Sequence, residues 1–429
     1  MISMQSYKII SIALLVLSLP VSALETAIDL GLGLEHTNNA LKSSVDKKSE
    51  LEQIATAGLG LNHEGPSITA EIGYSVEFRA YDKNTQSDET ALTGDALIVY
   101  EQIDQRLRWT LENSRRSILS DSELSNIQSN REDRSITSIS PELILRPSRA
   151  DALVTKLTYS VIDYEESEQQ DSDRAEVSLS WQRRMSAVDT ASINISYQDI
   201  GFDNGPSVFQ QESDYEYYQG SVGYSAELSQ LNYSLNLGYN ESLRDSGDID
   251  GGYVRAEASY EDGSSRWSVL IGQELTDTSQ QNGNYDLSGL GDFTNSSGGV
   301  DVFERRNVDL TYSGGSVCAV CTVSVSLLYK DDDYEQLGND TDEYAIRTSF
   351  GYRITRLLES DISASARRIS YGDDGRDGYD LTEVEARIVQ SMLKLSIEYS
   401  LGYENRESDD VNNDYEEVRG GISISYRFN

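Results

Sequence analysis

The residue types in this 429-residue chain that could do chemistry are two cysteines, two histidines and several acidic clusters. Cys318 and Cys321 form a Cys-Ala-Val-Cys run. A structural zinc site needs four ligands, and neither His36 nor His63 is near in sequence. A reactive thiol pair wants a helix N-terminus to lower its pKa, whereas the surrounding pattern here is a β-turn. A local disulfide made in an oxidising compartment is the expectation, and so short a loop adds little global stability.

His36 and His63 both fall on the apolar parity of their strands, at opposite ends, so they do not share a site. No nucleophile motif accompanies either, and ring contact at a bilayer interface is their expected role. Ser246-Gly-Asp248-Ile-Asp250-Gly251, with Glu257 in the twelfth place, imitates a calcium loop. Its first place should be Asp, the flanking helices are absent, and Glu257 falls inside a strand. Asp331-Asp332-Asp333, Asp373-Asp374 and Asp409-Asp410 read as solvated loop charges. No metal or cofactor is expected.

The elements that carry these residues alternate with period two, the mark of β-strands with one apolar and one polar face. The third strand sets Ile68, Ala70, Ile72, Tyr74, Val76 and Phe78 against Thr69, Glu71, Gly73, Ser75, Glu77 and Arg79. Leu231, Tyr233, Leu235, Leu237 and Tyr239 oppose Asn232, Ser234, Asn236, Gly238 and Asn240 in the same way. The last strand places Val418, Gly420, Ile422, Ile424, Tyr426 and Phe428 on one face. Short connections, such as 65–67, 186–189, 228–230, 262–264 and 390–391, take turns with long acidic or Gly/Ser/Asn-rich ones, such as 118–131, 204–213, 278–301, 331–342 and 407–414. About twenty strands result, or eighteen if 95–101 and 136–145 (broken by Pro141) do not form.

Composition and the chain ends then select a class. Lys8, the mostly apolar run 9–19 and Val21-Ser22-Ala23 follow the order of a secretory signal, so residues 1–23 are expected to be removed. The remainder, 24–429, has no apolar run near the ~20 residues a spanning helix needs. Yet 27 Tyr stand against 7 Phe and 3 Trp, and Tyr is the aromatic residue that tolerates a wet interface. Mean hydropathy of -0.49 suits strands whose polar half faces water. A formal charge of -38 excludes nonspecific nucleic-acid binding and argues for large, mutually repelling loops. The fold expected is all-β, a transmembrane antiparallel up-and-down barrel. Its C-terminal Ile422, Ile424, Tyr426 and Phe428 resemble the signal read by the barrel assembly machinery of the bacterial outer membrane, although Asn429 follows the final aromatic residue.

The lumen wall is then the polar face: Glu71, Glu77, Arg79, Arg106, Arg108, Arg255, Glu257, Arg347, Arg367, Arg387, Glu398 and Arg419. Both signs on one wall suit a water-filled pore that selects by charge, or a plugged lumen whose charges pair with one another. The loop 278–301 is a candidate for folding inward as a constriction.

Residues 94–114, GDALIVYEQIDQRLRWTLENS, resemble part of a proteobacterial outer-membrane barrel family associated with exopolysaccharide and PEP-CTERM-type loci. The resemblance rests on an apolar strand, a polar step through Glu101 to Gln105, and Arg106-Leu107-Arg108-Trp109. It implies a locus context, with a polysaccharide export system and outer-membrane lipid as partners, and no reaction. The function expected is a porin-like channel for polysaccharide export or passive solute diffusion, without enzymatic activity. The alternatives are a non-conducting barrel acting through its acidic loops and, third, a barrel hydrolase.

Overall fold

The computed structural model describes residues 24–428 except 122–123, 203–213, 245–246, 280–300, 316–317, 319, 335–339 and 373–377. The expected signal at 1–23, most of the loop 278–301, and Ser246, Asp373, Asp374 and Asn429 lie outside the described residues.

The first ten strands are β1 (Leu24–Thr37), β2 (Glu50–Glu64), β3 (Ile68–Tyr81), β4 (Glu89–Ile103), β5 (Leu107–Leu119), β6 (Arg131–Leu145), β7 (Asp151–Tyr164), β8 (Ser172–Arg184), β9 (Asp189–Phe202) and β10 (Tyr215–Glu227). The second ten are β11 (Leu231–Arg244), β12 (Ile249–Asp262), β13 (Ser265–Asp277), β14 (Val302–Gly314), β15 (Cys321–Tyr334), β16 (Thr341–Arg353), β17 (Leu358–Tyr371), β18 (Tyr379–Met392), β19 (Leu395–Ser408) and β20 (Tyr415–Phe428). Each pairs antiparallel with its sequence neighbours, and β1 pairs β20 from Ile28↔Phe428 to Thr37↔Arg419. The sheet therefore closes on itself, leaving no edge, which is what a β-structure needs where no water can satisfy open backbone groups.

Both doubtful segments are strands, β4 and β6, so the count is twenty. Pro141 has no N–H to give, and the β6–β7 ladder lapses there, between Ile139↔Tyr159 and Glu142↔Lys156. One turn is displaced from its expected place. β18 continues through Met392, so the turn to β19 lies at 393–394 and not at 390–391. Leu393, which the expected turn at 390–391 would leave inside the next strand, is instead the fully exposed turn tip with φ of 54°. Asp331, Asp332 and Asp333 belong to β15 and are not loop residues.

The apolar parity faces outward, where Leu32, Leu157, Ile195 and Leu401 are half or more exposed. Aromatic residues bound this outward band at both ends. Trp109, Trp181 and Trp267 lie within four residues of the short turns, with Tyr312 against Trp267 at 4.5 Å between ring centroids. Toward the long loops, Tyr197 pairs with Tyr218 and Tyr329 with Tyr344, each at 4.9 Å. Hydroxyls of this second set donate to carboxylates: Tyr159 to Asp173, Tyr218 to Glu216 and Tyr403 to Glu416.

Candidate functional site in the lumen

A barrel of eight strands can be filled by its own side chains, but one of twenty encloses a lumen that wall side chains cannot close. What occupies the interior is therefore decided by backbone that folds inward, and the two halves of this barrel differ.

In the half next to the short turns, the inward face stays wet. Arg108 and Arg387 keep 48% of their side chains exposed, and Glu257 43%. Neighbouring charges pair along the wall: Arg108 with Glu142 at 3.1 Å, Arg387 with Glu385 at 2.6 Å, and Arg255 with Glu257 at 2.6 Å. Glu71 is exposed on β3, and Arg347 lies on β16 between Ser326 and Ser365. Glu398 and Glu77 border a cavity of about 240 Å³ with Gly31, Gly33, Thr56 and Ser423. Arg106 lies outside the strands, in the turn between β4 and β5.

Toward the long loops the same face becomes dry. Arg79 pairs with Glu52, Glu77 at 2.8 Å and Glu89 at 3.6 Å. Arg367 and Lys330 share Glu343 at 3.0 and 2.9 Å, and Arg305 meets Asp332 at 2.7 Å. Asp332 is thus buried in an ion pair, which corrects its reading as a solvated charge. Arg419 and Lys42 meet Glu404 at 3.3 and 2.6 Å.

Two inward-folded segments contribute to this burial, beside the 38–49 loop that supplies Lys42. The first is the end of the β13–β14 hairpin. The β12–β13 ladder stops at Val254↔Gln273, whereas β13–β14 pairing runs on to Asp277↔Val302. Freed from β12, the hairpin end turns inward and packs Leu275 and Val302 on Ile200 and Phe202 of β9 and Tyr215 of β10. Asp277 is clamped there. Arg174 of β8 donates from Nη1 and Nη2 to its two carboxylate oxygens, both at 2.8 Å. The Tyr215 hydroxyl, the Ser279 N–H and the Ser279 hydroxyl donate to the same carboxylate at 2.5, 2.9 and 2.7 Å. Tyr164 of β7 donates to the Ser279 carbonyl at 2.8 Å. Arg174 and Asp277 are each about 1% exposed. A charge buried this far is tolerated because it is paired and its remaining lone pairs are hydrogen-bonded.

The second segment is the connection 120–130. Asn130 holds it by donating to the Asp121 and Ser125 carbonyls at 2.8 and 3.1 Å. Leu124 and Asn126 reach Tyr379, Glu404, Arg406 and Tyr415 on β18–β20, across the lumen from β5. Gln86 of the 82–88 loop ties it to the 38–49 loop, accepting from Gln128 N–H at 2.7 Å and donating to the Ala40 carbonyl at 2.8 Å. The expected constriction at 278–301 is described only at its roots, Thr278, Ser279 and Asp301, all buried. The part played by 120–130 was not anticipated.

The remaining candidates stand apart from this layer. Cys318, in the turn between β14 and β15, is disulfide-bonded to Cys321, the first residue of β15, with Cα atoms 5.1 Å apart. His36 is exposed on β1, while His63 is buried beside Gly65 and not presented to lipid. His36 lies opposite Leu51 of β2 and His63 opposite Leu24 of β1, which puts the two histidines about 40 Å apart along the strands. Glu257 lies within β12 and pairs with Arg255, unlike a calcium ligand.

The sequence did hold a signal for this buried layer. Ile162, Tyr164, Ile200 and Phe202 occupy the polar parity of β7 and β9 at their long-loop ends, and all four are buried. A second signal is an Asp just before or near the returning strand. Asp171, Asp214 and Asp340 accept from the N–H of Tyr164, Phe202 and Tyr334 at 2.6, 2.9 and 2.8 Å, stapling each loop closed.

A closed antiparallel barrel with an apolar outward band between two aromatic belts spans the outer membrane of bacteria. The chain is an outer-membrane β-barrel. It is similar to solved structures of that kind. One is the outer membrane protein OpdK from Pseudomonas aeruginosa, at 12% identity and a TM-score of 0.42, covering 94% of this chain and 99% of that one. Another is the FrpB iron transporter from Neisseria meningitidis, at 9% identity and 0.48, covering 94% and 81%. A third is OccAB4 of Acinetobacter baumannii, at 10% and 0.39, covering 96% and 100%. No family model matches the chain, and no curated protein matches it.

Proposed function

We propose that the barrel is a porin-like aqueous channel with a closable mouth. The observation that carries this reading is the gradient of exposure along one inward face. A wet, mixed-charge vestibule next to the short turns ends at a dry layer clamped by Arg174 and Asp277. Short turns face the periplasm and long loops the exterior in bacterial barrels, so the vestibule opens inward and the layer faces out. Glu71, Glu77, Glu257 and Glu398, with Arg108, Arg255, Arg347 and Arg387, would set which ions pass. The transport is passive and no bond is made or broken.

The polysaccharide link rests on the resemblance of residues 94–114 alone, which form the β4–β5 hairpin. Outer-membrane lipid and the barrel assembly machinery are the partners that an inserted barrel requires, and a polysaccharide exporter would add a third. One observation favours a second reading, a non-conducting barrel that acts through its loops: Arg79, Arg108, Arg255, Arg367, Arg387 and Arg419 are all ion-paired. Single-channel recording of refolded protein under a salt gradient separates the two. Openings with a cation-selective reversal potential are expected. Silence from both the wild type and Asp277→Ala, each shown to be folded, would overturn the channel and leave the loop surface.

A further inference from the structure

Charge is spread around most of the lumen wall but is missing from one part of it. On β8–β11, every inward position from 178 to 182, 192 to 196, 219 to 223 and 236 to 240 is Ser, Asn, Gln or Gly. Register aligns them. Gln182, Ser192, Gly223 and Asn236 form one row across the four strands, and Ser180, Asn194, Ser221 and Gly238 form the next. Asp, Glu, Lys and Arg make up 25% of the chain, so composition does not account for the gap. Lys156 of β7 and Arg255 of β12 border it. Halfway round the barrel, β18–β20 face it with Glu385, Arg387, Glu398 and Arg419.

The side chains of this wall hold one another in place. The Ser180 hydroxyl donates to Asn194 Oδ1 at 2.7 Å, and Asn194 Nδ2 donates to the Ser192 and Ser221 hydroxyls, both at 3.3 Å. Asn236 differs, because its carboxamide has no hydrogen-bond partner among the described residues. It lies with Ser192 over Gly223, where a Cβ would collide with Asn236 Oδ1 and Ser192 Oγ. All of these inward residues except Ser221 and Asn240 are partly exposed. By strand spacing the wall measures roughly 14 Å across the strands and 13 Å along them. Arg174 lies on β8 just beyond Ser178, toward the long loops, so the dry layer begins at the outer end of this wall.

We propose that this wall is a binding track for an uncharged sugar. Each sugar hydroxyl both donates and accepts, and the carboxamides and Ser hydroxyls present both functions side by side. Fixed charges hold and sort ions, and the opposite wall supplies them. An ionic solute moved onto the neutral wall gives up hydration and meets no counter-charge there. The solute is therefore polyhydroxylated and carries no carboxylate, phosphate or amine. The proposal rests on the channel reading only for a vestibule that water and solute can enter, and it takes nothing from residues 94–114.

Saturation-transfer NMR tests this on the refolded wild type, in a zwitterionic detergent without sugar headgroups. Salt at about 0.5 M screens the barrel's net charge. Lactose should receive saturation from the protein, and lactobionate, its carboxylate-bearing counterpart, should bind about tenfold more weakly. Asn194→Leu with Asn236→Leu keeps side-chain volume and removes both amides, so lactose affinity should also fall about tenfold. Gly223→Ala, whose Cβ displaces Asn236 and Ser192, should weaken it too, and serves if the double variant does not fold. No transfer to lactose in the wild type, equal affinity for lactobionate, or full lactose affinity in a folded variant would overturn the proposal. Single-channel recording decides the channel reading separately. Currents without sugar binding sink the track alone, and sugar binding by a silent barrel sinks the channel alone.

Discussion

Replacing Asp277 with alanine should release the closing layer of the lumen. In the wild type its carboxylate accepts from two nitrogens of Arg174, from Tyr215 and twice from Ser279, all out of contact with water. The substitution leaves the Arg174 guanidinium buried without its counter-charge. Breaking a buried pair from one side costs about 3–5 kcal/mol. That cost falls on the closed arrangement alone, because in an open lumen water solvates Arg174. At ~1.4 kcal/mol per tenfold, the ratio of open to closed shifts by roughly two to three and a half orders of magnitude. The apolar cluster of Ile200, Phe202, Tyr215, Leu275 and Val302 opposes opening in both proteins and cancels from the comparison. In a planar bilayer the variant should show openings far longer or more frequent than the wild type. Arg174→Met combined with Asp277→Leu should close the lumen again, since apolar groups of similar volume replace a buried pair at little cost. The reasoning is refuted if Asp277→Ala, shown by its heat-modifiable gel migration to be folded, conducts like the wild type.

Three further outcomes follow from local geometry. Leu393 holds a left-handed φ of 54° that costs a side-chain residue roughly 1 kcal/mol, so Leu393→Gly should raise the urea midpoint of the vesicle-inserted barrel. Gly94 has φ of 153° on β4, and a Cβ there would collide with the Gly73 carbonyl and Tyr74. Gly94→Val should cut the yield of folded barrel, read from the fraction that migrates in the compact form. Cys318→Ser with Cys321→Ser opens a loop with a sequence separation of 3, which costs at most about 2 kcal/mol. The urea midpoint should fall only slightly, and a loss of folding would show that the disulfide guides assembly.

Strand parity was legible because it is local. Ile68 to Arg79 declares its two faces without reference to any other strand, and so does Leu231 to Asn240. Barrel closure followed from the alternation of short and long connections together with the terminal strand. The exact turn at 393–394 was not legible, since Leu393 continues the apolar parity and only the register Met392↔Leu395 places it outside both strands. Asp332 misled for a related reason. Three consecutive Asp look like a loop, and the Arg305 that buries the middle one lies 27 residues away.

The sequence by itself therefore determined an all-β chain of about twenty alternating strands, an outward apolar band and a polar interior, because side-chain direction in a strand repeats every two residues. Only the tertiary structure decided which residues of that interior meet. Arg174 and Asp277 are separated by 103 residues and five strands, and each alone looks like any other charge near a strand end. They meet because β13 leaves β12 after Gln273 and carries its end inward to β8–β10. That path depends on pairing and packing between distant strands, which no local period records.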